Sequence, residues 1–565
     1  MRGPALARLA TLLGLALLLT ACPAEVEDDD VVELDDPDPD VEEPEPEEEP
    51  EEVEGEPLPT ITLDTTTEGY DPIRYEGAFM IAEAWEELGF EVEVEPTEFG
   101  TLLERFYDEQ DFQATILGWS GRVDRLDPHH FLGTLYGGHT DPGGNNPGGW
   151  VNDEFDELFR QQREEPEEDT RIEMVQEMQA IAAEEMPVNV LFYRDEVVAY
   201  NNEKFEGFVE MSGEAIYNEW TPYEVSPLTD DAMLTIGTPE EPDTINPLDS
   251  TSVWGWKFMR MYYDKLVRLS PEVEPEMWAA EAIDTPDDTT YEVTLRDGMT
   301  FHDGEAVTVD DIVFTFEYYI DNEFGYFMPF LDMIESVEAP DESTVVFNLS
   351  EPFGPFINVT LAQIPILPEH IWGDIDNPAD LAPDEIPTVG SGPFQFDRFD
   401  AGEYKAMTVF ADHWTAGDIE IEGIDYNIYA DAEGVFTGLQ TEEIDMTAWR
   451  LEPGQVPLAE DEDFLTVVNA PDFGYYHLTF NVREEPFDDV AVRQALSHAI
   501  DKDTIIDVLL DGRGEPGSSV VAPSNPTWHN PDITRYDYDM DRARELLEEA
   551  GYGWDADGRI VAPGS

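Results

Sequence analysis

The sequence predicts an α/β protein with more than one lobe. Its 565 residues exceed the ~100 to 200 residues that are typical of one domain. Hydrophobic residues make up 41% of the chain, which is too many for a wholly disordered protein. From Met233 onward, short alternating stretches typical of strands are interleaved with stretches typical of helices. These observations favour several folded cores of mixed α/β type.

The elements follow one another in a regular order. Alternation of apolar and polar residues predicts a hairpin of 336–339 with 343–349, and further strands are predicted at 234–237 and 291–295. A helix is predicted at 308–319, where Asp310 and Asp311 occupy the first turn and the helix dipole favours anions.

The charge of the chain is strongly negative. It has 27 Lys and Arg residues against 131 Asp and Glu residues, a formal net charge of −104. Nucleic acid is therefore excluded as a partner, because phosphate binding depends on basic residues. We interpret the acidic excess as a means of solvation suited to high salt. Pairs of carboxylates carry no functional signal here, because chance alone supplies many.

The first 21 residues are predicted to be an export signal. Arg2 and Arg8 precede an apolar stretch at 9–19, which is too short to span a ~30 Å hydrocarbon layer. The only cysteine, Cys22, follows at once and excludes an internal disulfide. Leu19-Thr-Ala-Cys22 resembles the bacterial lipobox, which implies a lipid on Cys22. The alternative is an ordinary signal peptide with a chance cysteine.

Residues 22–57 are predicted to be an acidic tether after the lipid anchor. They consist almost entirely of Glu, Asp, Pro and Val, with no basic residue. Self-repulsion and proline stiffness keep such a segment extended and disordered. An acidic surface that captures cations is the alternative.

Three long stretches carry a resemblance to a known family. They are RDGMTFHDGEAVTVDDIVFTFEYY, VGSGPFQFDRF and FNVREEPFDDVAVRQALSHAIDKDTII. In sequence and order they resemble the peptide/nickel/opine class of extracytoplasmic solute-binding proteins of ABC importers. The resemblance implies an α/β fold of the two-lobed, type II periplasmic-binding-protein kind with a third, inserted domain.

The order of the parts differs from the family order. The family pattern runs through Gly553-Trp-Asp-Ala-Asp-Gly558 and then breaks off. The segments that follow there in the family resemble residues from Leu58 onward, ending in FEGFV and NEWTPYEV. The resemblance implies strands at 58–63, 90–95 and 114–117 and helices at 75–88, 152–163 and 170–185, and the strand at 90–95 also alternates between apolar and polar residues. A further helix at 541–551 is ended by a glycine. The resemblance therefore implies a circular permutation with its join near residues 226–231. A defective gene rearrangement and two half-proteins that complete each other in a swapped dimer are the alternatives.

The resemblance also implies domain boundaries. The closing lobe comprises 58–193 and 481–565, the first lobe comprises 194–275 and 392–480, and the extra domain of the first lobe spans 276–391. Crossover strands at 187–193 and 478–482 connect the lobes.

The implied function is capture of a small ligand, a peptide or a related compound, between two closing lobes. Delivery to the permease and ATPase of an ABC importer would follow, with the protein held by its lipid to a membrane in the periplasm or at the cell surface. No cofactor is implied. A ligand-sensing or scaffold lipoprotein uncoupled from transport is the alternative.

The richest candidate for ligand contact is the segment that follows the predicted strand 114–117. Trp119 and Ser120 offer a ring face and a hydroxyl, Arg122 can hold a carboxylate with two hydrogen bonds, and Asp124 can pair with an amine. Peptide-binding relatives carry an acidic residue where this chain has Arg122, which argues against a simple peptide ligand. The alternative is that Trp119 and Arg122 only pack the lobe.

Further candidates come from other parts of the chain. Five aromatic side chains are predicted to face the cleft between the lobes, with a position in the core as the alternative, and they are Trp254, Trp256, Trp449, Tyr475 and His477. Asn145 is predicted to donate a hydrogen bond to the ligand, and it could equally be a turn residue.

No metal site and no enzyme activity are predicted. His129, His130 and His139 lie close in sequence, but adjacent histidines point apart and no cysteine assists them. The chain has neither a G-x-S-x-G motif nor a Gly-Lys pair, so it lacks the nucleophile elbow of a serine hydrolase and a Walker A loop. ATP hydrolysis is therefore expected of a partner.

Overall fold

A computed structural model describes residues 57–121, 125–137, 140–141, 146–250, 252–323, 327–400 and 404–563. The strands are β1 (Ile61–Thr66), β2 (Val92–Thr97), β3 (Ala114–Trp119), β4 (Val188–Asn201), β5 (Phe205–Glu206), β6 (Ser226–Pro227), β7 (Met233–Thr238), β8 (Val267–Leu269), β9 (Pro275–Met277), β10 (Ala280–Asp287), β11 (Thr290–Leu295), β12 (Ile334–Glu338), β13 (Thr344–Leu349), β14 (Phe394–Asp400), β15 (Tyr404–Val409), β16 (Gly423–Ile428), β17 (Met446–Thr447), β18 (Leu465–Phe480), β19 (Gly514–Pro516), β20 (Gly553–Trp554) and β21 (Ile560–Val561).

The helices are α1 (Pro72–Glu87), α2 (Phe99–Leu103), α3 (Pro128–Tyr136), α4 (Asp153–Glu164), α5 (Glu168–Glu185), α6 (Thr221–Glu224), α7 (Val253–Met259), α8 (Val309–Asp321), α9 (Met328–Leu331), α10 (Glu369–Trp372), α11 (Ala432–Gln440), α12 (Val456–Glu460), α13 (Val490–His498), α14 (Lys502–Leu510) and α15 (Met540–Glu549). The predicted strands and helices are present, each within three residues of its predicted bounds. The predicted α/β class is confirmed.

One large mixed sheet dominates the fold. Among the described residues it has eleven strands in the order β14-β15-β16-β7-β17-β4-β18-β3-β1-β2, with β19 added beside β4. Strand β1 runs parallel to β2 and β3, and β7 runs parallel to β16 and β17. The long strands β4 and β18 pair antiparallel between these two groups. The predicted crossover segments 187–193 and 478–482 coincide largely with parts of β4 and β18.

The side chains of β2 explain why the large sheet ends at this strand. Val92 and Val94 are half-buried, whereas Glu93 and Glu95 between them point to solvent. An edge strand that alternates in this way carries charges that discourage pairing with another chain. Strand β1, which has a neighbour on each side, is instead buried along almost its whole length.

Aspartate begins many of the helices. The side chain accepts a hydrogen bond from the first turn of α1, α3, α11, α13, α14 and α15, and these N-caps are Asp71, Asp127, Asp431, Asp489, Asp501 and Asp539. An aspartate N-cap satisfies backbone N–H groups that have no partner within the helix, and such a cap contributes about 1 kcal/mol. Part of the acidic excess of the chain therefore has a local structural use.

Two groups of buried residues lie on different parts of the large sheet. In one, β1 and α1 share a core with α13, α14 and α15, where Leu63 and Trp85 meet Leu496 and Leu547. In the other, β7 and β16 pack with α7 and with the four-stranded antiparallel sheet β10-β11-β13-β12. Helix α8 lies on that smaller sheet, with the ring of Phe316 edge-on to Phe347 at 4.8 Å.

Two backbone contacts bear on the order of the segments. The backbone N–H of Leu58 donates to the carbonyl of Ile560 at 3.1 Å, and Pro57 forms a β-bridge with Val561. Strand β5 pairs with β6, and the N–H of Leu228 donates to the carbonyl of Lys204 at 2.7 Å. Strand β1 and helix α15, which the permutation hypothesis assigns to one lobe, contribute to one core.

None of the helices in the described part of the chain has both the length and the apolar character needed to cross a membrane. The predicted export signal, Cys22 and nearly all of the predicted tether lie outside the described residues.

Candidate ligand-binding site

A cavity of about 530 Å³ lies where the carboxyl end of β3 and the start of α1 meet the middle of β18. Its size is within the ~300 to 1,000 Å³ that is typical of small-molecule sites. Aromatic side chains supply much of its wall, namely Tyr70, Phe99, Tyr107, Trp119, Trp449, Tyr475 and Tyr476.

Packing holds these rings in place. Tyr70 stacks on Phe99 with centroids 4.4 Å apart. Trp449 lies 5.3 Å from the ring of Trp254, and Tyr475 lies edge-on to Phe131 at 5.0 Å. Ring faces held in this way offer rigid apolar contact area at a low cost in conformational entropy.

Asp472 joins the segment after β3 to strand β18. Its carboxylate accepts hydrogen bonds from the N–H of Gly121 at 3.3 Å and the N–H of Gly474 at 3.1 Å. Burial, with a further contribution from the nearby Glu196 charge, raises the pKa of Asp472 to about 6. Two segments of the cavity wall are therefore joined by one buried carboxylate.

Glycine is required where these two segments meet. A Cβ on Gly474 would lie 2.4 Å from the carbonyl oxygen of Trp119 and 2.5 Å from the nitrogen of Gly121. Both contacts are with backbone atoms, so a side chain could be accommodated only if one segment moved. The close approach fixes the position of Trp119 relative to β18.

Asp71 and Arg74 form a second anchored unit at the start of α1. The Asp71 carboxylate accepts from the N–H groups of Ile73 and Arg74 and from the hydroxyl of Tyr476 at 3.1 Å. Arg74 pairs with Asp71 at 3.1 Å and donates to the carbonyl of Gly118 at 3.3 Å. This network connects α1 to the ends of β3 and β18.

Arg194 and Arg450 also line the cavity wall. Arg194 donates to the Tyr476 hydroxyl at 3.4 Å. Arg450 stacks on the ring of Trp449 at 4.4 Å and lies 3.8 Å from the carboxylate of Glu196. Burial and the neighbouring Arg194 charge lower the pKa of Arg450. Both guanidinium groups belong to residues of the cavity wall.

The structure places four of the sequence-predicted residues together in this wall, and they are Trp119, Ser120, Trp449 and Tyr475. Arg122, Asp124 and Asn145 lie outside the described residues. The neighbouring Asn146 is buried, and its amide donates to the carbonyls of Gly137 and Trp150, as a turn residue does.

Three other predicted residues lie outside the cavity wall. Trp254 is buried against Trp449, and Trp256 packs on Phe327 with its indole N–H donating to the carbonyl of Ser250. His477 is fully buried, its Nδ1 lies 3.0 Å from the hydroxyl of Thr479, and burial lowers its pKa to about 3. Their contacts are those of core residues, because β18 and the segment around α7 are covered on the faces where these side chains lie.

The histidine cluster serves packing where it is described. His129 stacks on Phe159 at 4.7 Å, and Gln162 lies 2.9 Å from its Nδ1. His139 lies outside the described residues. Within the part of the chain that the structure describes, no group of three or more His, Cys, Asp or Glu side chains could hold a metal ion.

Sequence reasoning missed the polar residues that organise the wall. Asp71, Arg74, Arg194, Arg450 and Asp472 come from segments up to about 400 residues apart, as the Tyr476–Asp71 hydrogen bond shows. One signal was present for Asp71, because Asp-Pro before a helical stretch is typical of an N-cap.

A model of the bacterial extracellular solute-binding proteins, family 5, matches residues 274–563. The oligopeptide-binding protein AppA of Bacillus subtilis is 30% identical over 328 residues, which cover 56% of this chain and 59% of AppA. The glutathione-binding protein GsiB of Shigella flexneri is 28% identical over 317 residues, covering 55% of this chain and 60% of GsiB. The match thus spans about three fifths of each relative.

Among solved structures, the ABC transporter substrate-binding protein CtaP of Listeria monocytogenes is similar with a TM-score of 0.50 and 27% identity. The similarity covers 57% of this chain and 66% of CtaP. This agrees with the α/β fold of the type II binding-protein kind that the sequence implied. Because the family model covers more than half of the residues, this chain belongs to the bacterial extracellular solute-binding proteins of family 5.

Proposed function

We propose that this protein captures a small ligand, a peptide or a related compound, in the cavity between β3, α1 and β18 and delivers it to an ABC importer. The observation that carries the proposal is a cavity of about 530 Å³ whose wall combines fixed aromatic faces with charged side chains. Sites with this combination are typical of small-molecule binding. The names of the related proteins AppA and GsiB describe oligopeptide and glutathione binding, which supports a ligand of this size.

The proposed contacts are Trp119, Ser120, Trp449 and Tyr475, together with the sequence-predicted Arg122, Asp124 and Asn145. The mechanism is closure of two lobes connected by β4 and β18. A ligand that touches both lobes stabilises only the closed form, so binding shifts the population toward it. The proposed role requires no catalysis, and the family is one of binding proteins rather than of enzymes.

Mass spectrometry of molecules retained by gently purified protein is expected to identify the ligand, and calorimetry then measures its affinity. Trp449→Ala is expected to weaken binding at least tenfold, about 1.4 kcal/mol, because it removes a ring face from the wall. Trp414→Ala is the control, since this half-exposed ring lies outside the cavity wall. Equal affinities of the two variants, both folded, would argue against this site.

Transport and sensing make different predictions for cells. If the protein delivers its ligand to an importer, deletion of the gene is expected to reduce uptake of the radiolabelled ligand. Unchanged uptake in the deletion strain, with binding intact in vitro, would favour a sensing or scaffold lipoprotein.

We also propose that Cys22 carries a lipid that holds the protein to a membrane. The support is the position of the single cysteine directly after the predicted export signal. Cys22→Ser is expected to move the protein from the membrane fraction to the soluble fraction, and the mass of the mature wild-type protein is expected to include the lipid. Membrane retention of the folded variant would contradict this.

We propose, finally, that the order of the segments is a circular permutation with a join near residues 226–231. The support is that residues 58–119 join the sheet through β18 and the core through α13 to α15, and that Leu58 lies beside Ile560. Exposed turns tolerate such rearrangements.

A rearranged gene tests the permutation. A chain of residues 231–563 joined through a short Gly/Ser linker to residues 58–230 is expected to melt within about 5 °C of the chain 58–563 and to bind the same ligand. The control is an analogous rearrangement cut between Gly474 and Tyr475, inside β18, which is expected not to fold. Failure of the first chain to fold would refute the proposal.

A further inference from the structure

The cavity wall has the opposite charge balance from the chain. Of the nineteen lining residues that the structure describes, four are arginines and three carry a carboxylate. The whole chain has 27 basic residues against 131 acidic ones. A cleft in which guanidinium groups outnumber carboxylates is therefore a local exception in a strongly acidic protein.

The three carboxylates of the wall are engaged or exposed. Asp71 caps α1 and accepts from Tyr476, and Asp472 accepts from two backbone N–H groups. Glu240 is exposed to solvent. Burial opposes the charge of Arg194, but Tyr476, Glu196 and Asp71 outweigh burial and raise its pKa. Among the described residues, the acids therefore act on the arginines at a distance without accepting a hydrogen bond from Arg194 or Arg450.

Arg194 and Arg450 retain donors for a ligand. Within the described residues, the polar contacts of Arg450 amount to the 3.8 Å approach to Glu196, which is longer than a hydrogen bond. Arg194 donates one long hydrogen bond, at 3.4 Å, to the neutral Tyr476 hydroxyl. A guanidinium group has five N–H donors in a planar fork that suits carboxylate and phosphate oxygens. An anion in the cavity that accepts hydrogen bonds from these donors would stabilise both groups.

We propose, on the basis of the proposed function, that the ligand of this cavity is anionic and that its carboxylate or phosphate oxygens accept hydrogen bonds from Arg194 and Arg450. The aromatic faces of Trp119 and Tyr475 contact the rest of the ligand. An anion must approach against the long-range repulsion of the acidic surface, and a pair of guanidinium groups offsets that repulsion only inside the cleft. Arg194 and Arg450 are therefore the part of the wall that selects for an anionic ligand.

Matched probes test the inference by calorimetry at one fixed salt concentration. The peptide probes are Glu-Ala-Glu, Gln-Ala-Gln and Lys-Ala-Lys with acetylated N-termini and amidated C-termini, so that only their side chains differ in charge, and the sugar probes are glucose 6-phosphate and glucose. At least one anionic probe is expected to bind tenfold or more tightly than its neutral counterpart. The two sets distinguish a peptide carboxylate from a sugar phosphate as the source of the charge.

Variants test whether Arg194 and Arg450 cause the preference for an anionic probe. In the double variant Arg194→Gln/Arg450→Gln the preference for the anionic probe is expected to fall below threefold. Arg160→Gln is the control, because Arg160 is a largely exposed residue of α4 that pairs with Glu157 and Glu164. Melting curves establish that both proteins are folded.

Several results would contradict the inference that the ligand is anionic. Tighter binding of a neutral or basic probe, or a charge preference that persists in the folded double variant, would overturn the inference while leaving the proposed function standing. Absence of binding by both anionic probes would also overturn it. If, in addition, no probe of any charge bound and no molecule were retained on purification, the proposed function would fail as well.

Discussion

Replacing Arg171 with alanine is expected to lower the free energy of unfolding by about 3–5 kcal/mol, because it leaves a buried carboxylate without its partner. Arg171 and Asp127 are both buried, and the Arg171 Nη1 donates to an oxygen of Asp127 at 2.7 Å. Arg171 also donates to the carbonyl of Gln162 and lies over the ring of Trp528 at 4.7 Å. Burial raises the pKa of Asp127, but Arg171 outweighs burial and holds this pKa below its usual value.

Urea unfolding of the variant measures the loss, with Arg160→Ala as the control. Arg160 pairs with Glu157 on the surface of α4, where an ion pair contributes about 0–1 kcal/mol. The double variant Asp127→Asn/Arg171→Met is expected to lose less than Arg171→Ala, since asparagine keeps the cap of α3 and no charge is left unpaired. A loss below about 1 kcal/mol in Arg171→Ala would show that the buried pair does not act in this way.

Replacing Gly474 with alanine is expected to weaken ligand binding at least tenfold and to lower the free energy of unfolding by about 1–3 kcal/mol. The new Cβ would lie 2.4 Å from the carbonyl oxygen of Trp119, so the segment from Trp119 to Gly121 must move away from β18. The hydrogen bond from Gly121 to Asp472 is stretched by the same movement, and Trp119 is displaced from the wall.

The control is Gly454→Ala, since a Cβ there would have no heavy atom within 4 Å. Its unfolding free energy is expected to stay within about 0.5 kcal/mol of the wild-type value. The ligand retained on purification serves for the affinity measurement, and Trp fluorescence reports on the displacement of Trp119. Wild-type affinity in a folded Gly474→Ala protein would show that the close approach is unimportant for binding.

The fold was largely predictable because its elements carry local signals. Alternation identified β2 and β13, and the acidic first turn identified α8, where Asp311 completes a capping box with Thr308. The resemblance supplied the family. Local signals do not determine which strands are neighbours, so the position of β18 between β4 and β3 became clear only from the structure.

The site was predictable only in part, for a related reason. Trp119 stood out because it follows a buried strand and precedes polar residues. Asp472 carried no signal in a chain with 131 acidic residues, and its partner Gly121 lies 351 residues away in sequence. For Trp254 and His477, the sequence could not distinguish a buried position from one that faces the cleft, because both positions favour a large apolar or aromatic side chain. The structure buries Trp254 against Trp449 and His477 within β18.

The ladder between β4 and β18 has one further consequence. It is continuous from Leu465 opposite Asn201 to Pro471 opposite Asp195, is interrupted, and resumes at Tyr475 opposite Tyr193. A pair of strands bends most readily where its ladder is interrupted. The interruption contains Asp472 and Gly474, which line the cavity. If the two lobes close as proposed, β4 and β18 are expected to bend at this interruption, so that the proposed ligand would contact the hinge directly.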